Sequence, residues 1–390
     1  MLATVIASVT TVLTFIGIFY FIAALWSART FMRRPGHAGD FSPGVSILKP
    51  VKGLDPEMYA AFASHCRQKY TGEYEILFGA ASMDDPAVPA IERLQAEFPE
   101  HLIRLVMCPE VLGLNGKISN VAQLAAQARY GYLIVNDSDI KVSPHYLARI
   151  MRPFAAAVKG KAVGLVTAPY RGRVGGRAHG TLGSKLEALG IATDFFPGVL
   201  VSLKMDGEIR FGLGSTLAVS REALEAIGGF APLADALADD YELGLRIAQA
   251  GYAVYLSGEV VETSVPAYDL RGYFDHQLRW ARGIRDSRKL GYLGLAFTFG
   301  LPWALINLLV SGFSIDSVAL LSMACLARVT LALAVGVGIL GDRQVLRDLW
   351  LLPVRDVAAM WVWLWSFASD TVVWRGERFV LRDGKLEKQG

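Results

Sequence analysis

Four apolar residues, Tyr132-Leu133-Ile134-Val135, run without a break into Asn136-Asp137-Ser138-Asp139. A strand made of continuous apolar residues is typical of a sheet covered on both faces. Ligands of such sheets gather at the carboxyl ends of the strands, and that is where these two carboxylates fall. Spaced i, i+2 beyond a strand end, they can bind one hard divalent cation, which in turn can neutralise a diphosphate. A solvated turn or an Asx-type helix cap is the plainer account of an isolated D-x-D, so the rest of the chain has to decide.

The surrounding pattern is that of an α/β sheet. Val45-Ser46-Ile47-Leu48, Tyr74–Ala80, Ile103–Met107, Tyr132–Val135 and Ala162–Ala168 are short apolar strands. Between them Pro56–Tyr70, Pro86–Phe98, Ile118–Ala128 and Pro144–Ala157 carry helical periodicity, which predicts a mostly parallel sheet. The segment Gly172–Gly190 is glycine-rich and basic, and 195–211 is apolar without clear period; together they predict a mobile or membrane-apposed insert. Arg221–Ile227 and Asp239–Ala250 are expected as helices and Tyr252–Leu256 as a strand.

The chain has 390 residues, 53% of them hydrophobic. That is more than one α/β domain of about 250 residues needs. Residues 3–26 are apolar and nearly uncharged, and Arg29, Arg33 and Arg34 follow, as expected of a spanning helix. Gly291–Phe313 and Val318–Leu340 are each long enough to cross a bilayer, and Leu349–Ala368 is a third apolar stretch interrupted by Pro353, Arg355 and Asp356. Basic residues after the first span and before the second place the central domain in the cytoplasm. The basic tail, with Arg375, Arg378, Arg382, Lys385 and Lys388, belongs inside too, so 349–368 is expected to lie in the interface or re-enter. Leu270–Lys289, with Arg271, Arg279, Arg282, Arg285 and Arg288, is predicted to be an amphipathic surface helix. The expected division is a membrane anchor at 1–40, a cytoplasmic α/β domain at 41–270, an interface helix at 271–290 and a membrane region at 291–390. Cys66, Cys108 and Cys325 are too scattered for a disulfide framework or a metal motif, and a net charge of +3 does not imply nucleic acid.

Four more clusters fall where such a sheet presents chemistry. Ser82-Met83-Asp84-Asp85-Pro86 follows the second strand and can offer a carboxylate to a base or ribose; alone it is an ordinary helix cap. Asn115-Gly116-Lys117-Ile118-Ser119-Asn120 precedes a helix and can offer a lysine and amides to a phosphate, though N-G also simply marks a turn. Asp239-Asp240-Tyr241-Glu242 opens a helix, where acids are favoured by the dipole, and one of them can serve as a general base. His276-Gln277-Leu278-Arg279-Trp280 combines an aromatic wall with donors, a pattern that interface anchoring also explains.

In this order the clusters resemble the processive and lipid-directed inverting glycosyltransferases with a GT-A fold, over roughly residues 40–290. The expected fold class is therefore a GT-A, Rossmann-like, mostly parallel sheet domain with N- and C-terminal transmembrane helices. Asp84-Asp85-Pro86-Ala87, Val45–Pro50 and Lys52-Gly53 are similar to the ceramide glucosyltransferase group. Gly300-Leu301-Pro302-Trp303 and Leu352-Pro353-Val354-Arg355-Asp356 resemble the bacterial hopanoid-associated glycosyltransferases.

The resemblance implies that Asp84 or Asp85 contacts uridine, that Lys117 and Asn120 contact the nucleotide-sugar, and that Asp137 with Asp139 holds Mg2+ or Mn2+ and the diphosphate. It makes Asp240 the base and sets Arg279 and Trp280 near the diphosphate and acceptor. His276 stands where the family has Gln or Arg, with Gln277 beside it. The implied partners are a UDP-sugar donor, a membrane lipid acceptor and the bacterial cytoplasmic membrane, with no nucleic acid. The expected reaction moves a sugar, N-acetylglucosamine first and glucose second, to bacteriohopanetetrol or ceramide respectively. A polysaccharide synthase would need more spans, and a non-catalytic lipid-binding scaffold would have no use for Asp84, Asp137, Asp139 and Asp240 together. Gly212–Thr216 and Phe195–Leu200 are candidate acceptor walls.

Overall fold

The computed structural model describes residues 1–34, 39–175, 180–374 and 377–388. Helix α1 (Leu2–Met32) leads into a sheet whose first half is parallel. Strands β1 (Val45–Pro50), β2 (Tyr74–Ala80), β3 (Leu102–Met107) and β4 (Tyr132–Val135) stand in the order β3-β2-β1-β4. Helices α2 (Met58–Cys66), α3 (Val88–Glu97) and α4 (Gly116–Gln127) connect them. Ile47, Leu48, Leu133 and Ile134 are 0% exposed. Each such side chain contributes roughly 2 kcal/mol by leaving water, and the polar residues buried among them are paired, as Ser46 is with Glu75.

After α5 (Tyr146–Met151), the two-residue β5 (Ala157–Val158) forms a hairpin with β6 (Lys161–Thr167), while β7 (Tyr170–Arg173) leaves the main sheet. Next come α6 (Leu182–Gly190) and α7 (Phe196–Asp206), joined through a π-helical turn at Ile191–Phe195. The expected mobile insert is thus largely one helix, Leu182–Asp206, with 72% of its apolar window buried inside the protein. Its apolar residues show no simple period because neighbours cover it on several sides. Residues 176–179 of the expected insert lie outside the described residues.

Strand β8 (Leu217–Ser220) completes the main sheet between β4 and β6, antiparallel to both. Helices α8 (Arg221–Ala226) and α9 (Asp239–Gln249) follow, and β9 (Ala253–Leu256) then pairs in parallel with β6. Strand β10 (Val261–Ser264) pairs in parallel with β7 as a separate ribbon.

Helix α10 (Leu270–Ser287) matches the predicted amphipathic segment. The expected span at 291–313 is broken into α11 (Lys289–Gly294), a 3-10 turn and α12 (Gly300–Val310), with a bend of 51°. Helix α13 (Ile315–Ala332) continues through a π-helical stretch to Ile339. Among the described residues, three helices are able by length and composition to cross a membrane, Leu2–Met32, Leu182–Asp206 and Ile315–Ile339, or four if the bent pair is counted as one span. After α14 (Gln344–Asp348), helix α15 (Leu352–Ser366) has 15 residues, short of the roughly 20 a span needs.

The tail departs from the expected membrane region. Strands β11 (Thr371–Trp374), β12 (Glu377–Arg382) and β13 (Lys385–Lys388) form an antiparallel sheet. Val372, Phe379, Leu381 and Leu386 bury against Leu114 and Leu237 of the α/β domain. The Leu237 N–H donates to the Gly384 carbonyl at 3.3 Å, and the Leu386 N–H to the Asp235 carbonyl at 2.8 Å.

Candidate active site

Strand β4 ends where its ladder does, and Asn136 fixes the loop that follows. The Asn136 N–H donates to the Leu48 carbonyl at 3.2 Å. Its buried amide Nδ2 donates to the Ser215 carbonyl at 2.7 Å and to Thr216 Oγ1 at 3.2 Å. The acidic loop is thereby tied to Gly212–Thr216. Beneath it, Lys49 Nζ donates to the Asp137 carbonyl at 3.0 Å. Burial pulls the Lys49 ammonium down to about 7, against the opposing pull of Asp139 and Asp137.

The two carboxylates differ. Asp137 is partly exposed and pairs with Lys117 Nζ at 2.9 Å. Asp139 Oδ2 accepts from Thr263 Oγ1 at 2.5 Å and from the Ser264 N–H at 3.2 Å. Ser138, between them, donates to Asp55. Thr263, Ser264 and Asp55 carried no signal in the sequence, since ordinary polar residues enter this site only through chain crossovers.

Helix α4 begins at this loop because Asn115 caps it, accepting from the Lys117 and Ile118 N–H groups at 3.0 and 3.1 Å. The same side chain donates to the Ala236 carbonyl at 2.8 Å, which draws the start of α9 alongside. Lys117 then bridges Asp137 and Asp239, the latter at 3.3 Å. The mutual field of these acids raises the Lys117 ammonium above its ordinary value despite burial.

Among the described residues Asp240 makes no salt bridge, although it lies in the field of Lys117. It accepts from the Tyr241 N–H at 2.8 Å, and its Oδ2 lies 3.2 Å from where a Cβ on Gly214 would stand. Burial, and then the charge of Asp239, push its carboxyl up to about 6. Tyr170 is buried in the joint field of Asp240, Glu187, Asp137 and Asp139, and its hydroxyl is held well above its ordinary range, chiefly by desolvation.

The helix α10 residues form the next wall. Glu187, a buried acid of α6, lies 3.3 Å from His276 Nδ1 and accepts from Gln277 Nε2 at 2.8 Å. Tyr268 stacks on His276 with ring centroids 5.3 Å apart, and Trp280 lies 5.1 Å beyond. Phe195 joins Trp280 to Tyr170, at 6.1 and 5.5 Å. Arg279 belongs to the same helix, in the field of Tyr268.

The remaining sequence candidates sit at the edge. Asp85 accepts from the Gly53 N–H at 3.0 Å and from the Ala87 N–H at 2.9 Å, so it shapes the loop after β2. Asp84 beside it is exposed. Asn120 donates to the Gly79 carbonyl at 2.6 Å and fastens α4 to β2.

Residues 9–387 match the family described as glycosyl transferase family 21. The chain belongs to glycosyl transferase family 21. This family 21 chain is 28% identical over 242 residues to ceramide glucosyltransferase 3 of Caenorhabditis elegans, covering 62% of this chain and 50% of that protein. It is 30% identical over 115 residues to a ceramide glucosyltransferase of Candida albicans, covering 27% of this chain and 21% of that one. The chain spans about half the length, or less, of the curated relatives it matches. In fold it is similar to a mannosyltransferase, PcManGT from Pyrobaculum calidifontis, solved in complex with GDP-Man and Mn2+. That likeness has a TM-score of 0.53 at 18% identity and covers 92% of this chain and 99% of that one. The expected GT-A-like α/β architecture is therefore the observed one.

The acid pair of this family 21 chain suits a hard cation held from one side. The Asp139 carboxyl is pushed up to about 6 by burial and by Asp137, a repulsion that a cation between them relieves. Among the described residues no three His, Cys, Asp or Glu side chains converge on one point. A cation there would take its other ligands from diphosphate and water, as Mg2+ commonly does. Two cavities of about 520 and 470 Å3 lie elsewhere, one beside Asp40, Lys69 and Arg152, the other beside Leu301, Arg328 and Trp350.

Proposed function

We propose that this protein is a membrane-bound inverting glycosyltransferase that moves a sugar from a UDP-sugar to a hydroxyl of a membrane lipid. The observation that carries the reading is the Lys117 bridge, which brings Asp137 to Asp239 and so sets Asp240 beside the acidic loop. A diphosphate needs positive charge, and an attacking hydroxyl needs a base within reach; the cleft offers both.

In this reading Asp84, exposed and held only by a long 3.4 Å bond from Ser82 Oγ, meets the uridine. Asp137 and Asp139 hold Mg2+ or Mn2+, which when bound screens the charge of the departing diphosphate. Lys117 adds a fixed positive charge on the same side. Asp240, unpaired by any lysine and facing Gly214, takes the proton of the acceptor hydroxyl. One in-line displacement then inverts the anomeric carbon, giving a β-glycoside from an α-linked donor, and no enzyme nucleophile is required. Trp280 and Phe195 flank the acceptor.

Ceramide and glucose are the acceptor and the sugar that the names of the curated relatives favour. The Gly300–Trp303 and Leu352–Asp356 motifs favour bacteriohopanetetrol with UDP-N-acetylglucosamine. Purified full-length protein is incubated with each donor against each lipid, with and without EDTA, and products are identified by mass spectrometry. The reading requires a lipid glycoside that vanishes with EDTA and returns with Mg2+ or Mn2+; no product from any of the four combinations overturns it.

A further inference from the structure

Next to the aromatic wall, the chain carries charges that the transfer reaction does not use. Asp194 lies in the π-helical turn between α6 and α7, immediately before Phe195. Its carboxylate accepts from Arg355 Nη2 at 3.0 Å, yet 43% of its side chain remains exposed. π-Helical turns inserted in longer helices recur at functional sites.

Arg355 is only 5% exposed, and its Nε and Nη1 have no hydrogen-bond partner. Tyr273, 0% exposed, has an unpartnered hydroxyl in the field of Arg355, Glu187 and Asp194. The guanidinium lies against Gly190, where a Cβ would stand 2.4 Å from Nε, so only glycine admits it. Asp356, the next residue, is by contrast fully engaged, taking Arg328 through two bonds of 2.7 Å.

Buried donors without partners are costly, so they are rarely kept without a use. Ionisable groups among spanning helices are costlier still and mark functional sites by default. Here Arg328 of α13 and Tyr20 of α1 lie close by, which sets the cluster where the spans meet the α/β domain.

Building on the transferase reading, we propose that Asp194, held by Arg355, receives the donor hydrogen of the acceptor lipid's head, a hydroxyl or an amide N–H. The carboxylate supplies the acceptor, and Arg355 and Tyr273 supply donors for the oxygen of the same head. The lipid is thus registered from its membrane end while Phe195 and Trp280 pass its reactive hydroxyl toward Asp240. The Leu352–Asp356 motif acquires a role in acceptor choice.

The test uses full-length protein in phosphatidylcholine nanodiscs loaded with ceramide or bacteriohopanetetrol. Asp194→Asn keeps the shape but leaves the Arg355 guanidinium without its carboxylate, so Asp194→Leu with Arg355→Met, which removes both charges together, is read beside it. Acceptor KM, donor KM, kcat and UDP affinity are read for each, with retention of the lipid by native mass spectrometry as a readout apart from turnover. The expected result is an acceptor KM raised about tenfold or more with weakened lipid retention, while UDP affinity and donor KM stay within about twofold, as for loss of one charged hydrogen bond. Acceptor KM and retention unchanged in either variant overturn the site. Equal loss of UDP affinity also overturns it, by making the pair structural. Absence of transfer by the unmodified protein is the distinct signature of a failed transferase reading and takes the site with it.

Discussion

Lys117 is the side chain that turns separate acids into one site. Without its bridge, Asp137 and Asp239 would repel across the cleft, and the cost of gathering carboxylates would fall on the fold. In the proposed reading Asp240, which has no salt bridge among the described residues, is the acid that accepts the proton. Asp240→Asn is expected to lower kcat by about a thousandfold, within the range a general base supplies, with UDP affinity changed less than about twofold. Calorimetric titration of UDP beside a turnover assay separates the two; parallel losses reassign Asp240 to the nucleotide. The pH profile follows from the same group. A base must be ionised, and burial raises this carboxyl to about 6, so activity should climb as pH rises through about 6 and level off above it. An acid limb near 4, that of an ordinary carboxylate, would contradict the assignment.

The C-terminal sheet is the element whose effect reaches furthest from its place in the chain. It is seated on Leu114 and on the 235–237 segment, one residue ahead of Lys117's helix cap and two ahead of the Asp239-Asp240 pair. Arg285 of α10 holds its near end through Asp370. Phe379→Ala should therefore cost roughly 3–5 kcal/mol of local stability. Hydrogen exchange should rise over residues 234–240 and at the start of α4 while β1 and β2 keep their protection; uniform loss across the sheet would contradict a local clasp. Helices α1 and α12 meet still more closely. A Cβ on Gly17 would stand 2.2 Å from Gly300 Cα, and Asn307 reaches across to Thr10 and Thr11 at 3.0 and 2.9 Å, the small-residue and polar contacts by which membrane helices associate.

For the whole molecule, the tail bears on a conflict that hydropathy leaves open. Residues 371–374 and 377–388 are seated on the α/β domain, so the two are expected on one side of a membrane, and α15 is then not expected to cross if the bent pair and α13 both do. In that arrangement the bent α11–α12 pair and α13 would form an out-and-back hairpin with its tip near Asp316. In sealed vesicles, cysteines placed at Gly53 and at Asp383 should label from the same face, and one at Asp316 from the opposite face. Labelling of residues 53 and 383 from opposite faces would overturn this arrangement.

Much of this was legible in the residues. Continuous apolar strands forced a sheet buried on both faces, because no other arrangement keeps such runs from water. The position of Asp137 and Asp139 after one of those strands, and of Asp239-Asp240 at a helix start, followed from local pattern alone. The helix at Leu182–Asp206 was not legible, since its covering comes from several sides and erases the period. Nor were Glu187, Thr263, Tyr170 or the Asp194–Arg355 pair. These residues lie up to 161 positions from their partners, and only the crossovers and the packing of α6, α7 and α15 bring them together. Sequence determined which segments must be buried and which ends of strands carry charge; tertiary structure decided which charges meet, because proximity between distant segments is set by packing and not by local preference.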